Sequence, residues 1–197
     1  MSYTEIFAFG KDGSAYGVAD IKNSHRGAMA IWRILESKYL PPYMPSWGDI
    51  GGEYSRTTAF EGDAMKAVWR IYELGKVSKV DAICLCTTFD KMLVKRENVK
   101  HIINAFNKFE GETSLKEQAT ALEEVLKDKD VVAVGWNQTS VNCDTWASYG
   151  YDDEKEEEIP YNCLTQDDHD WVVVGEEKFL CDPSDSITRE ECGMVRV

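Results

Sequence analysis

Two short apolar runs, 80–87 (VDAICLCT) and 130–136 (DVVAVGW), bracket a stretch of helical periodicity, and that arrangement constrains this chain more than any other feature. Each run has the length of a buried strand. Between them Asn98 offers a helix N-cap ahead of Val99, Ile102, Ile103 and Phe106, which share the inner face of one helix. Ser114-Leu115-Lys116-Glu117 has the form of a capping box and opens a second helix through Leu122, Val125 and Leu126. Strand, two helices, strand is the pattern of a crossover, so 80–87 is expected to pair in parallel with 130–136.

Other elements lie on either side. Residues 3–9 (YTEIFAF) and 14–21 (SAYGVADI) flank Lys11-Asp12-Gly13, and Asp-Gly between β-rich runs signals a hairpin turn. Asn23-Ser24 offers an N-cap for a helix whose apolar face is Ala28, Ile31, Trp32, Leu35 and Tyr39, stopped by Pro41-Pro42. Residues 41–57 read as a connection packed down by Tyr43, Met44, Trp47, Ile50 and Tyr54. Thr58-Ala59-Phe60-Glu61 matches a capping box for a helix through Ala64, Val68, Ile71 and Tyr72 that ends near Gly75. The expected fold class is α+β or α/β: a mixed β-sheet with an N-terminal β-hairpin, about four helices and a C-terminal β-hairpin. A length of 197 residues fits a single globular domain over 1–197.

Charge divides the chain unevenly. Residues 139–197 hold 16 Asp/Glu against 4 Lys/Arg, while residues 1–138 hold 19 against 18. Most of the net charge of −13 therefore sits in the last third. That acidic third (139–197) repels nucleic-acid phosphate and disfavours direct DNA or RNA binding. It suits a basic protein surface, and the residues expected to meet one are Asp152, Asp153, Glu154, Glu156, Glu157, Glu158, Asp167 and Asp168. No window approaches a membrane span, and MSYTEIFAFG lacks the pattern of a signal peptide, so the expected location is the cytoplasm, with no membrane partner. Six cysteines, Cys84, Cys86, Cys143, Cys163, Cys181 and Cys192, are then expected as reduced thiols.

Signals for chemistry are sparse. Gly48-Asp49-Ile50-Gly51-Gly52 lacks the Lys-Ser/Thr of a phosphate loop, and no H-E-x-x-H or spaced Cys pairs support zinc. Asp152-Asp153-Glu154 lacks the ligand alternation and turn glycine of a calcium loop. No cofactor or metal is expected. In a strand over 80–87, Cys84 and Cys86 would share one face, and they do not form C-x-x-C. His101 has no acidic or thiol neighbour in sequence and reads as a structural histidine.

The stretch 167–184 (DDHDWVVVGEEKFLCDPS) reads as a hairpin. His169 stands before the apolar run Trp171 to Val174, a turn follows at Gly175 to Lys178, and Phe179 to Cys181 ends at Asp182-Pro183. Trp171, Val173 and Phe179 are expected to anchor it, with Asp167, Asp168, Glu176 and Glu177 outward. Residues 169–183 resemble the histidine-to-aspartate hairpin of papain-like and transglutaminase-like cysteine enzymes. That resemblance implies His169 as base, Asp182 as its orienting acceptor and an upstream cysteine as nucleophile. Those families place the cysteine at the start of a buried helix. The most similar helix here opens Ser24-His25-Arg26-Gly27-Ala28 without one, which leaves Cys143, or Cys163, as the upstream thiol.

Two functions follow as expectations. The first is a small acidic interaction protein, of the kind that inhibitors, immunity proteins and phage-encoded anti-defence proteins represent. The second is a cysteine-dependent hydrolase or acyl-transferase using Cys143, His169 and Asp182.

Overall fold

A computed structural model describes residues 3–23, 26–40, 65, 68, 69, 71–89, 91–138, 149–152, 154–160 and 171–181. The N-terminal hairpin is set by its turn. Asp12 Oδ1 accepts from Ser14 N (3.0 Å) and from Ser14 Oγ (2.6 Å), and Gly13 takes a φ of +84° that a side chain would resist. Strands β1 (Tyr3–Gly10) and β2 (Ala15–Lys22) pair antiparallel on either side. Helix α1 (Ala28–Tyr39) buries Ala28, Ile31 and Leu35, as its spacing predicts. Its N-cap position is Gly27, while Asn23 acts from a distance: Asn23 O accepts from Met29 N (3.2 Å), and Asn23 Oδ1 accepts from Thr4 Oγ1 (2.7 Å). Ser24 and Pro41-Pro42 lie outside the described residues, as do the loop 41–57 and the box Thr58–Glu61. Helix α2, described at 65, 68, 69 and 71–73, buries Met65, Val68, Trp69 and Ile71 and is closed by Gly75, φ +72°. There Gly75 N bonds Tyr72 O and Lys76 N bonds Ile71 O, the paired bonds of a glycine C-cap.

The run expected as a strand over 80–87 is a helix, α3 (Lys79–Cys86). The reason is its cap. Ser78 Oγ accepts from Asp81 N (3.1 Å) and donates to Asp81 Oδ2 (2.7 Å), which satisfies the first turn. Asp81 to Cys86 are all buried, so beyond its first turn the helix is enclosed on every side and shows no amphipathic period. Cys84 and Cys86, two apart on a helix, therefore do not share a face.

With that strand gone, the expected parallel pair is absent among the described residues. The 130–136 run lies between β1 and β3 (Lys91–Lys95), a five-residue strand that follows α3. β3 pairs antiparallel with β4 (Val131–Gln138), Met92 opposite Trp136 and Val94 opposite Val134. Helix α4 (Arg96–Lys108) starts directly after β3, ahead of the expected cap Asn98, and buries Val99, Ile102, Ala105 and Phe106. Helix α5 (Leu115–Val125) begins after Ser114, yet its capping box is not formed. Ser114 Oγ donates to Arg26 O (2.9 Å) and Glu117 accepts from Arg26 Nη2 (2.6 Å), so both groups tie α5 to the start of α1 instead.

The C-terminal hairpin is present as β7 (Trp171–Val174) and β8 (Glu177–Cys181). The sheet order is β2-β1-β4-β3-β8-β7, with every described neighbour pair antiparallel, and a separate two-stranded sheet holds β5 (Tyr149–Asp152) and β6 (Glu157–Pro160). The fold class is α+β. Helix residues pack on one sheet face with Ile6, Met92, Val134, Trp136 and Phe179. Phe9, Leu93 and Ala133 form a smaller cluster on the other. Among the described residues no helix is long and apolar enough to cross a membrane.

Candidate functional site

Of the acidic residues singled out in the sequence, Asp152, Glu154, Glu156, Glu157 and Glu158 lie on one described hairpin. The β5–β6 register pairs Asp152 with Glu157 and Tyr151 with Glu158. Acidic residues thus stand at directly opposed register positions of this hairpin, Asp152 against Glu157. Its turn presents Glu154, Lys155 and Glu156, all exposed, and Glu156 holds a φ of +53° that non-glycine residues seldom adopt. Asp153, Asp167 and Asp168 lie outside the described residues. So do Cys143, Cys163, His169 and Asp182. The hairpin that should carry the last two is formed: β7 begins two residues after His169 and β8 ends one residue before Asp182.

At the other end of that hairpin stands a cluster the sequence did not announce. Glu177 is buried, not outward, and meets two helices. Its Oε1 accepts from Lys79 Nζ of α3 (2.8 Å) and lies 3.1 Å from His101 Nδ1 of α4. Its Oε2, 2.6 Å from the same ammonium, is buried with no donor aligned on it. Burial pushes the Glu177 carboxyl upward, but the Lys79 hydrogen bond, its own backbone and the His101 and Lys79 charges outweigh this and hold it below the ordinary value. His101 thus has an acidic partner, 76 positions away in sequence (177 less 101). The signal lies in where the strand starts, at Glu177 and not at Phe179. Phe179 faces the core, so Glu177, two residues earlier, shares its face. The same alternation exposes Val173 (46%) and buries Val174, reversing the expected anchor; the side chain of Trp171 lies outside the described residues. Chemically, the carboxylate fixes one imidazole nitrogen and ties the hairpin to both helices.

A second buried carboxylate joins α1 to α3. Asp81 Oδ2 accepts from Lys38 Nζ (2.7 Å), Ser78 Oγ (2.7 Å) and Tyr39 Oη. Burial raises its carboxyl, and the hydrogen bonds from Lys38, Tyr39 and Ser78 bring it below the usual range. Burial, then the nearby Asp81 charge, pushes the Cys84 thiol well up, which disables it as a nucleophile. Among the described residues no group of His, Cys, Asp and Glu is placed to hold a metal ion.

No protein-family model matches the chain, and neither a curated protein nor a solved structure matches it.

Proposed function

We propose that this chain is a small acidic interaction protein of the cytoplasm that docks a basic surface of a partner protein through its last third, as an inhibitor, immunity or anti-defence protein would. One observation carries the reading. Charge is concentrated in residues 139–197, and within them the β5–β6 hairpin opposes Asp152 to Glu157 and exposes Glu154 and Glu156 at its turn. Acidic charge gathered on one hairpin is complementary to a basic protein surface. Electrostatic steering would make association fast and salt-sensitive. The test is retention of basic proteins from a lysate by the immobilised chain at low and high salt. Glu154→Gln, Glu156→Gln, Glu157→Gln and Glu158→Gln combined should abolish retention. A control with the same number of carboxylates neutralised on α5 and its flanks (Glu110, Glu112, Glu123, Glu124) should leave it intact. Equal loss in both variants would reduce the effect to bulk ion exchange and end the reading.

A second reading is favoured by the β7–β8 ladder, whose open end leads to both His169 and Asp182. It is the cysteine hydrolase or acyl-transferase with Cys143 as nucleophile. A thiol activated by a neighbouring imidazole reacts fast with iodoacetamide at neutral pH. Cys143 should then label ahead of the other five cysteines, and labelling at the common rate would remove the enzyme.

A further inference from the structure

We infer that the β7–β8 hairpin is a latched flap, able to leave the sheet as a unit, with Glu177 as the bolt between it and the helices. Its backbone hold on the rest of the sheet is short. Among the described residues β8 pairs with β3 at Met92↔Cys181 and Leu93↔Leu180, whereas β4 pairs with β1 along its length from Thr4 to Gly10. Among its described side chains, Val174 and Phe179 are buried in the core. The other described attachments are polar. Tyr72 Oη donates to Val173 O (3.2 Å), Asn98 Nδ2 reaches Lys178 O (3.5 Å), and Lys79 and His101 hold Glu177.

Lys79 and His101 keep 51% and 33% of their side-chain surface exposed while Glu177 keeps 8%, so the bolt is buried and its two holders reach it from solvent. A buried carboxylate that loses its partners is strongly unfavourable in place, whereas on a released hairpin it is hydrated again. Losing the latch therefore shifts the balance toward the open hairpin and leaves the β1–β4 core unaltered. Elements whose attachments are polar and reached from solvent are candidates for local opening below the free energy of global unfolding.

Hydrogen exchange on the full chain, read residue by residue, tests this directly. In the wild type the β8 amides should exchange at least about tenfold faster than those of Val134 and Trp136 in β4. Glu177→Gln should speed β8 about tenfold more and leave β4 unchanged, since a factor of ten corresponds to one lost charge-assisted hydrogen bond. His101→Gln, which keeps Lys79 in place, should act in the same sense to a smaller extent, and is read by the same criterion if Glu177→Gln fails to fold. β8 and β4 exchanging together in the wild type would overturn the flap. Variants that change nothing, or that speed β4 equally, would overturn the latch.

Discussion

The two buried carboxylates, Asp81 and Glu177, illustrate how one side chain ties elements together that the sequence leaves unconnected. Asp81 closes the first turn of α3 through Ser78 and receives Lys38 and Tyr39 from the end of α1. Its carboxyl sits below the ordinary value. A depressed folded value contributes stability that is complete above the unfolded value and is lost as pH falls through the folded one. The wild type should therefore lose denaturant resistance on acidification below about pH 4, with Asp81 among the causes. Asp81→Asn should lower stability near neutral pH by about 1–3 kcal/mol and flatten this acid dependence, seen as urea midpoints measured across the pH range. A variant as stable as wild type at pH 7 would show the cluster to be incidental. At the same scale Gly75 has open space where a Cβ would stand but a φ of +72°, so Gly75→Ala meets only conformational cost. About 1 kcal/mol of destabilisation is expected from equilibrium unfolding, and a neutral result would mean that the cap relaxes.

At the scale of elements, the sequence is most legible where a periodicity and a turn agree. The N-terminal hairpin, α1 and the β7–β8 hairpin stand close to their expected bounds because Asp12-Gly13 and Gly175 set the turns and the apolar spacing sets the faces. Residues 80–87 misled because a fully buried helix and a buried strand give the same continuous apolar run, and the deciding cap, Ser78 with Asp81, lies partly ahead of it. β3 was hidden for a related reason. Its five residues, KMLVK, follow closely on α3 and run straight into α4, too short a stretch to show a strand period of its own. Ser114-Leu115-Lys116-Glu117 shows a subtler failure. The motif is genuine as a pattern, but Arg26 competes for both polar groups and a tertiary contact wins over a local one. Glu177, expected outward within a turn over 175–178, lies inward because β8 starts at Glu177 and alternation puts it on the face of Phe179. The flap inferred from that residue belongs to this scale, since the hairpin opens or holds as one element.

For the whole molecule, the sheet divides the labour. One face and its helices make the larger core, anchored by Trp136, whose indole nitrogen donates to Gln118 and whose ring meets Phe106 edge-on. The acidic β5–β6 hairpin forms a sheet of its own. The candidate site was thus legible as composition, a run of carboxylates, but its paired register was not, because register is set by a turn at Glu154 to Glu156 with no glycine to mark it. Docking on a basic partner through this hairpin is the central claim. Its most direct measurement is the salt dependence of partner capture by the wild type, by the variant neutralised at Glu154, Glu156, Glu157 and Glu158, and by the charge-matched variant on α5 and its flanks. Capture at low salt should fade at high salt, be lost in the hairpin variant and persist in the matched control. Capture that survives neutralisation of the hairpin, or that both variants lose alike, would contradict that claim.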